Sequence, residues 1–301
     1  MLRYTLRQLE YAVAVADHSS IAAAAEMLGV AQPSISAAVM KLEGQIGLQL
    51  FLRRHAQGVS PTPLGARFLT EARNLLSHAQ EFQRQAESAG STISGELKIA
   101  SFMTMAPVFV PRLLSRFRDR YPLTSLRLED GTQTELLDSL RTGRSDIALL
   151  YDVDLPDDLR VTRLATFDPY VLLPASHRLA HQKKVSLHDL ADEPFILLDI
   201  APSRSYFTRI IESQGITPRI AFSSPSLELV RGLVGQGLGY SLLVTRPYGH
   251  HTYDGNPLAL RPIAEDVEKG IAAIAALRQI RPTRLVSAFE EFCMKFFRDL
   301  K

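Results

Sequence analysis

The chain has 301 residues, of which 46% are hydrophobic and 22% charged. These values suit about two folded domains and exclude a disordered or fibrous chain. The net charge of +2 announces no global basic field, the single cysteine (Cys293) excludes an internal disulfide or a cysteine-based zinc motif, and no stretch reaches the ~18 apolar residues of a membrane span.

The N-terminus has no basic head followed by an apolar signal core, so the expected setting is the reducing cytoplasm. The first predicted helix covers residues 5–15, its apolar positions Leu6, Leu9 and Val13 continuing to Ala16. Residues 19–43 predict two short helices and a tight turn. Ser19 or Ser20 caps the first of them, and an alanine run after Ile21 favours helix while adding little bulk. Gly29 suits a helix end with positive φ, and Pro33 suits the first position of the next helix. In that second helix Ile35, Val39, Leu42 and Ile46 form one buried stripe. Ser36, Ala37, Met40 and Lys41 fall away from the stripe, and Gln32 and Ser34 stand at its start. This is a helix-turn-helix pattern whose second helix can enter a DNA major groove, although a plain helical hairpin would also satisfy these residues alone.

After Gly47, residues 48–51 alternate like a short strand. Arg53 and Arg54 follow, Gln57-Gly58 makes a turn, and Val59-Ser60 returns. The expected hairpin is a wing whose arginines meet phosphates or the minor groove. Between Val30 and Arg67 the cations Lys41, Arg53, Arg54 and Arg67 face one anion, Glu43, with His55 as a further candidate.

The joined signals carry a resemblance. The helix pair, the Gln32-Pro33-Ser34 start, the Leu42-Glu43 exit and the Leu50-Phe51-x-Arg53-Arg54 wing follow one another without a gap over roughly the first 65 residues. This stretch resembles the N-terminal domain of LysR-type transcriptional regulators. The resemblance implies a DNA-binding homo-oligomer, a dimer that can pair into a tetramer, with a small-molecule effector domain behind the reading head. Gln32, Pro33, Ser34, Ser36, Ala37, Lys41, Arg53 and Arg54 are the candidate DNA contacts. Where many relatives carry an arginine after the serine, this chain has Ala37, so readout is expected to lean on Gln32, Ser34 and Ser36, with Lys41 and the wing arginines on phosphate.

Thr62-Pro63 opens a long helix, with Thr62 as its cap. Phe68, Ala72, Leu75, Ala79, Phe82 and Ala86 repeat as the seam of a coiled coil ~40 Å long. Such a seam needs a partner. The simplest is the same helix in a second chain, and the other is the chain's own effector domain. Small, polar residues 90–95 read as a hinge.

From Glu96 strands and helices alternate: strand 96–100, helix 107–120, strand 124–129, helix 134–142 and strand 146–151. A second set begins at 171–174 and runs through strand 195–198, helix 203–214, strand 218–222, helix 226–234 and strand 240–244. Strand 270–277 and helix 283–300 close the chain. Alternation of this kind implies parallel βαβ units in two lobes, with crossings near 167–168 and 262–268 and a cleft at the strand ends. The expected fold is an N-terminal all-α winged helix-turn-helix (1–62), a linker helix and hinge (63–94), and a C-terminal α/β two-lobed effector domain like a periplasmic binding protein (95–301). Lobe I is expected at 95–167 and 269–301, and lobe II at 168–268. Weaker echoes of the family stand at 143–148, 174–180 and 237–240.

Candidate effector contacts begin in the loop after the first strand of this domain. Ser101, Phe102, Met103 and Thr104 lead into a helix start, where free amides favour an anion. The resemblance implies effector contact at 101–104, while a capping role for Thr104 stays open. Ser203 and Arg204 open another helix, and Arg204 is either a carboxylate clamp or a surface cation. Thr132, Ser224 and Ser226 begin further helices or loops on the same rim. Helix starts of this kind favour a small organic acid or other polar metabolite, with Phe102, Met103 and Met105 as an apolar wall. The histidines are not in metal register, so no metal or cofactor is expected. No nucleophile elbow, P-loop or dinucleotide fingerprint follows a strand, so no enzyme is expected. The alternatives are a cytosolic small-molecule-binding protein, or an enzyme with a regulatory N-terminal domain.

Overall fold

The computed structural model describes residues 3–54, 58–87 and 92–300, without the side chains of 53, 54 and 84–87. The N-terminal module comprises α1 (Leu6–His18), α2 (Ile21–Leu28), α3 (Gln32–Ile46), the antiparallel hairpin β1 (Phe51–Arg54) and β2 (Gly58–Pro61), and the long α4 (Pro63–Glu87). Leu9, Val15, Ile35, Val39, Leu42 and Leu50 bury against Leu69, Ala72 and Leu76 of α4. One face of the linker helix is therefore part of the head's own core.

Local chemistry sets the boundaries. Ser20 caps α2, its hydroxyl accepting from the Ala23 amide at 3.3 Å, while Ser19 ends α1 in the left-handed region with φ 51. Gly29 ends α2 with φ 64. α3 starts one residue ahead of Pro33, after Ala31, which offers no side-chain cap. The strand expected at 48–51 begins only at Phe51. The Glu43 carboxylate accepts from the amides of Leu50 (2.7 Å) and Phe51 (3.2 Å), so those donors turn toward α3. Of the expected turn, Gln57 and also His55 lie outside the described residues, while Gly58 pairs with Arg54. Thr62 caps α4, accepting from the Gly65 amide at 2.8 Å.

The expected seam of α4 divides in two. Ala72 is buried in the head, whereas Leu75 and Phe82 remain 42% and 74% exposed. Ala86 lies outside the described side chains. Farther along, α4 also touches its own C-terminal domain, as Glu81 accepts from the Arg284 amide at 2.7 Å.

The C-terminal domain runs β3 (Gly95–Phe102), α5 (Ala106–Arg120), β4 (Thr124–Gly131), α6 (Gln133–Arg141), β5 (Ile147–Tyr151) and β6 (Leu159–Phe167). It continues β7 (Tyr170–Pro174), β8 (Pro194–Leu198), α7 (Ser203–Glu212), β9 (Arg219–Ser224), α8 (Leu227–Gly235), β10 (Ser241–Leu243) and β11 (Leu258–Pro262). The chain ends with β12 (Gly270–Leu277) and α9 (Arg284–Arg298). Strands β4-β3-β5-β12-β6 form one sheet, and β7 to β11 form a three-stranded β10-β7-β11 sheet beside the parallel β8-β9 pair. The chain crosses between these groups at 168–169 and 263–269.

Two strands, β6 and β11, escaped the sequence reading. β6 is an edge strand interrupted by Arg160 and Arg163, so its apolar alternation is weak. β11 carries Arg261 and stops at Pro262. The expectation of parallel units holds for β3 with β4 and β5. β12 instead runs antiparallel to both β5 and β6, because it re-enters the sheet from the other lobe.

Candidate functional site

Two sites follow from this architecture. On the head, α3 turns Ile35, Val39 and Leu42 into the core at 0–3% exposure. That rotation leaves Gln32, Pro33, Ser34, Ala37, Met40 and Lys41 exposed and Ser36 half-buried on the opposite side. A helix with a polar amino end and an exposed outer face, held by a second helix and flanked by a hairpin, is the geometry that enters a major groove. Arg53 and Arg54 occupy the tip-side half of β1, and their side chains lie outside the described residues.

The second site is a cleft of about 420 Å³ of open space where the two lobes meet. The first sheet contributes Thr104, Tyr151, Val153 and Gly270. The second group contributes Leu198, Pro202, Ser203, Tyr206, Phe207, Leu227, Leu243, Val244 and Thr245. Its walls are apolar, broken by hydroxyls. The Tyr151 hydroxyl bonds Thr245 Oγ1, and the Tyr170 hydroxyl donates to the Thr245 carbonyl at 3.0 Å. Tyr206 donates to the Glu268 carbonyl at 2.6 Å, on the second crossing between the lobes. Burial pushes the Tyr151 hydroxyl up to about 12, which keeps it a neutral group that can donate or accept a hydrogen bond.

The predicted residues are dispersed by this geometry. Thr104 and Ser203 line the cleft, at 4% and 7% exposure. Ser101 is fully buried and does not line the cleft, its hydroxyl without a partner among the described residues. Phe102 and Met105 belong to the lobe core rather than to a cleft wall. Phe102 packs edge-on against Tyr151 with ring centroids 5.8 Å apart. Met103 is half-buried at the core's margin. Thr132 forms a reciprocal capping box with Glu135 at the start of α6. The Ser224 hydroxyl accepts from the Ser226 amide, and Ser226 caps α8. α8 presents Leu227 to the cleft instead. Arg204 points to solvent and makes a bidentate pair with Asp199, both contacts 2.5 Å, which holds the Asp199 carboxyl below its ordinary range. Of the two roles left open for Arg204, this geometry shows a surface ion pair, and no cation stands among the described residues that line the cleft.

Tyr151, Tyr206 and Thr245 were missed by the sequence reading. A signal existed for two of them: Tyr151 closes β5 and Thr245 closely follows β10, at the strand ends where ligands of α/β sheets collect. Tyr206 gave no comparable signal, since one aromatic on an amphipathic helix reads as core.

Comparison with known proteins finds one family match over the head and another over the C-terminal domain. Residues 6–66 match the family described as bacterial regulatory helix-turn-helix protein, lysR family, and residues 90–298 match the LysR substrate binding domain. YnfL of Escherichia coli K12, an uncharacterised HTH-type transcriptional regulator, is 32% identical over 266 residues, 87% of this chain and 88% of its own. HinK, a LysR family transcriptional regulator from Pseudomonas aeruginosa, is 44% identical with a TM-score of 0.69, covering 99% of this chain and 100% of that one. Full-length OxyR C199D, also from Pseudomonas aeruginosa, is 27% identical with a TM-score of 0.79, covering 97% of this chain and 98% of that one. Matched along nearly its whole length, head and two-lobed domain alike, the chain belongs to the LysR family of transcriptional regulators.

Proposed function

We propose that this regulator is a cytoplasmic, non-enzymatic homo-oligomer that binds promoter DNA through α3 and the wing and takes a small organic effector between its lobes. The observation that carries the reading is the rotation of α3, which buries its stripe and leaves Gln32, Pro33, Ser34, Ala37 and Lys41 facing out. Residues 1–62 serve as the reading head, 63–94 as linker and hinge, and 95–301 as the effector domain, with lobes at 95–167 with 269–301 and at 168–268. Dimers form through α4 and can pair into tetramers through their effector domains. Two-fold symmetry then matches an inverted-repeat site, and two weak heads become one strong binder. The cleft walls suit a partly apolar or aromatic acid. A carboxylate would be met by the uncapped amino end of α7 and by Ser203, not by Arg204. Ligand acts by binding one arrangement of the lobes better than another.

The test is a salt titration of binding to the chain's own upstream DNA. A steep negative dependence is expected, with Lys41→Ala, Arg53→Ala and Arg54→Ala each lowering the slope by about 0.9 if one phosphate contact is lost. Equal affinity for random duplex would sink the reading. Turnover of a screened metabolite would favour an enzyme instead.

A further inference from the structure

Helix α6 spans the distance between the cleft and the linker helix, and both of its ends are tied. At its amino end Gln133, 8% exposed, donates through Nε2 to the Val153 carbonyl at 3.0 Å, and Val153 lines the cleft. At its carboxyl end the last carbonyls have no partner inside the helix and carry the negative end of its dipole. Two side chains of α4 meet them. Thr70 donates from Oγ1 to the Arg141 carbonyl at 2.7 Å, and Arg73 donates from Nη1 to the Thr142 carbonyl at 2.6 Å.

Arg73 does a second thing with the same guanidinium. Its Nη2 lies 2.5 Å from Asp17 Oδ1, in the last turn of α1, and its side chain is only 10% exposed. One planar group therefore joins three bodies: the reading head, the linker helix and the first lobe. Space is made for it. Gly143, with φ 67, follows Thr142, and a Cβ there would stand 3.1 Å from Arg73 Cδ. The Asp17 end leads directly to the wing, since the Ser19 carbonyl accepts from the Val59 amide at 2.9 Å. The α6 end is also tied to the turn that leads into β6 by the bidentate Arg141–Asp158 pair, at 2.9 and 3.1 Å.

We propose that Arg73 is a positioning residue for DNA binding: it locks the reading head and α4 onto the carboxyl end of α6, so that the first lobe sets where the head points. A lysine cannot replace it, because a single ammonium lacks the planar fork that serves a carbonyl and a carboxylate at once. The role rests on the functional reading above for its purpose, but its test uses neither DNA nor effector, so the two can fail separately.

The experiment measures the distance between spin labels at Glu26→Cys on α2 and Asp157→Cys before β6. Both positions are exposed, and the native Cys293 is buried and escapes labelling. The full-length labelled chain is diluted with excess unlabelled chain, so that distances within one protomer dominate. The unaltered background is expected to give one narrow distance. Arg73→Ala and Arg73→Lys should lose that peak to a broad distribution, and Thr70→Val should widen it less. The exchange Asp17→Arg with Arg73→Asp keeps an ion pair between α1 and α4 but turns a carboxylate toward the Thr142 carbonyl. It should leave the head folded by circular dichroism and still lose the narrow distance. An unchanged narrow peak in Arg73→Ala overturns the proposal. So does a narrow peak in the exchanged pair, because the contact to α6 would then be irrelevant.

Discussion

Gly65 and Gly44 both sit inside helices, and a sequence offers no reason to treat them differently. In the fold they are opposites. A Cβ on Gly65 would lie 2.1 Å from the Leu50 carbonyl oxygen, because α4 crosses the start of the wing at backbone contact. A Cβ on Gly44 would meet nothing within 4 Å. Gly65→Ala is therefore expected to destabilise the head by about 1–3 kcal/mol through overpacking. Gly44→Ala should stabilise it by about 0.5–1 kcal/mol, because glycine is the costlier residue in a helix interior. Thermal melts of the two variants should move in opposite directions. Glu43 makes a similar point about side chains. In the sequence it is one anion among cations, whereas in the fold its carboxylate holds two wing amides and so fixes where the wing begins.

At the scale of one element, α4 must satisfy two demands on one helix. Its buried face (Leu69, Ala72, Leu76) closes the head, and its other face leaves Leu75 and Phe82 open to solvent in the single chain. The faces differ by one residue between Leu75 and Leu76, a rotation of roughly 100° at 3.6 residues per turn. Leu76→Ala is expected to cost the head about 2–5 kcal/mol, as removal of a core leucine does. Leu75→Glu with Phe82→Glu should leave the head's melt in place and shift the protein toward monomer in light scattering. If the assembly persists, self-association through this face is wrong. A seam of period 3.5 was legible in the sequence. Its division into a buried and an exposed face was not, because periodicity reports that a face is apolar and not what covers it.

At the scale of the whole molecule, the cleft exists only because the chain leaves the first sheet after β6 and returns to it as β12. Residues separated by about a hundred positions in sequence, Tyr151 and Thr245, meet there. The site thus draws on residues that no local motif connects. For a ligand found by thermal-shift screening, Thr104→Val and Ser203→Ala should each weaken binding by about 1 kcal/mol, the ordinary worth of one hydrogen bond. Arg204→Ala should leave affinity unchanged, since its guanidinium is held by Asp199 on the surface. Calorimetry of the three variants decides the matter, and a large loss in Arg204→Ala would contradict this placement.

Helix periodicity, caps and turn residues act between neighbours a few positions apart, so the helix pair, the inward stripe of α3, the long linker helix and the two-lobed α/β plan were all legible in the residue order. Two residues that line the cleft, Thr104 and Ser203, were also legible there, Thr104 because it lies just ahead of α5 and within the segment the family resemblance implies, and Ser203 because it opens α7 after a strand. The rest emerges from the folded chain alone: the wing's register through Glu43, the two faces of α4, the antiparallel return of β12, the outward turn of Arg204 and the bridge made by Arg73. Each of these depends on which distant group arrives to compete for a donor, a carbonyl or an apolar face, and that competition is settled by packing between segments far apart in the chain.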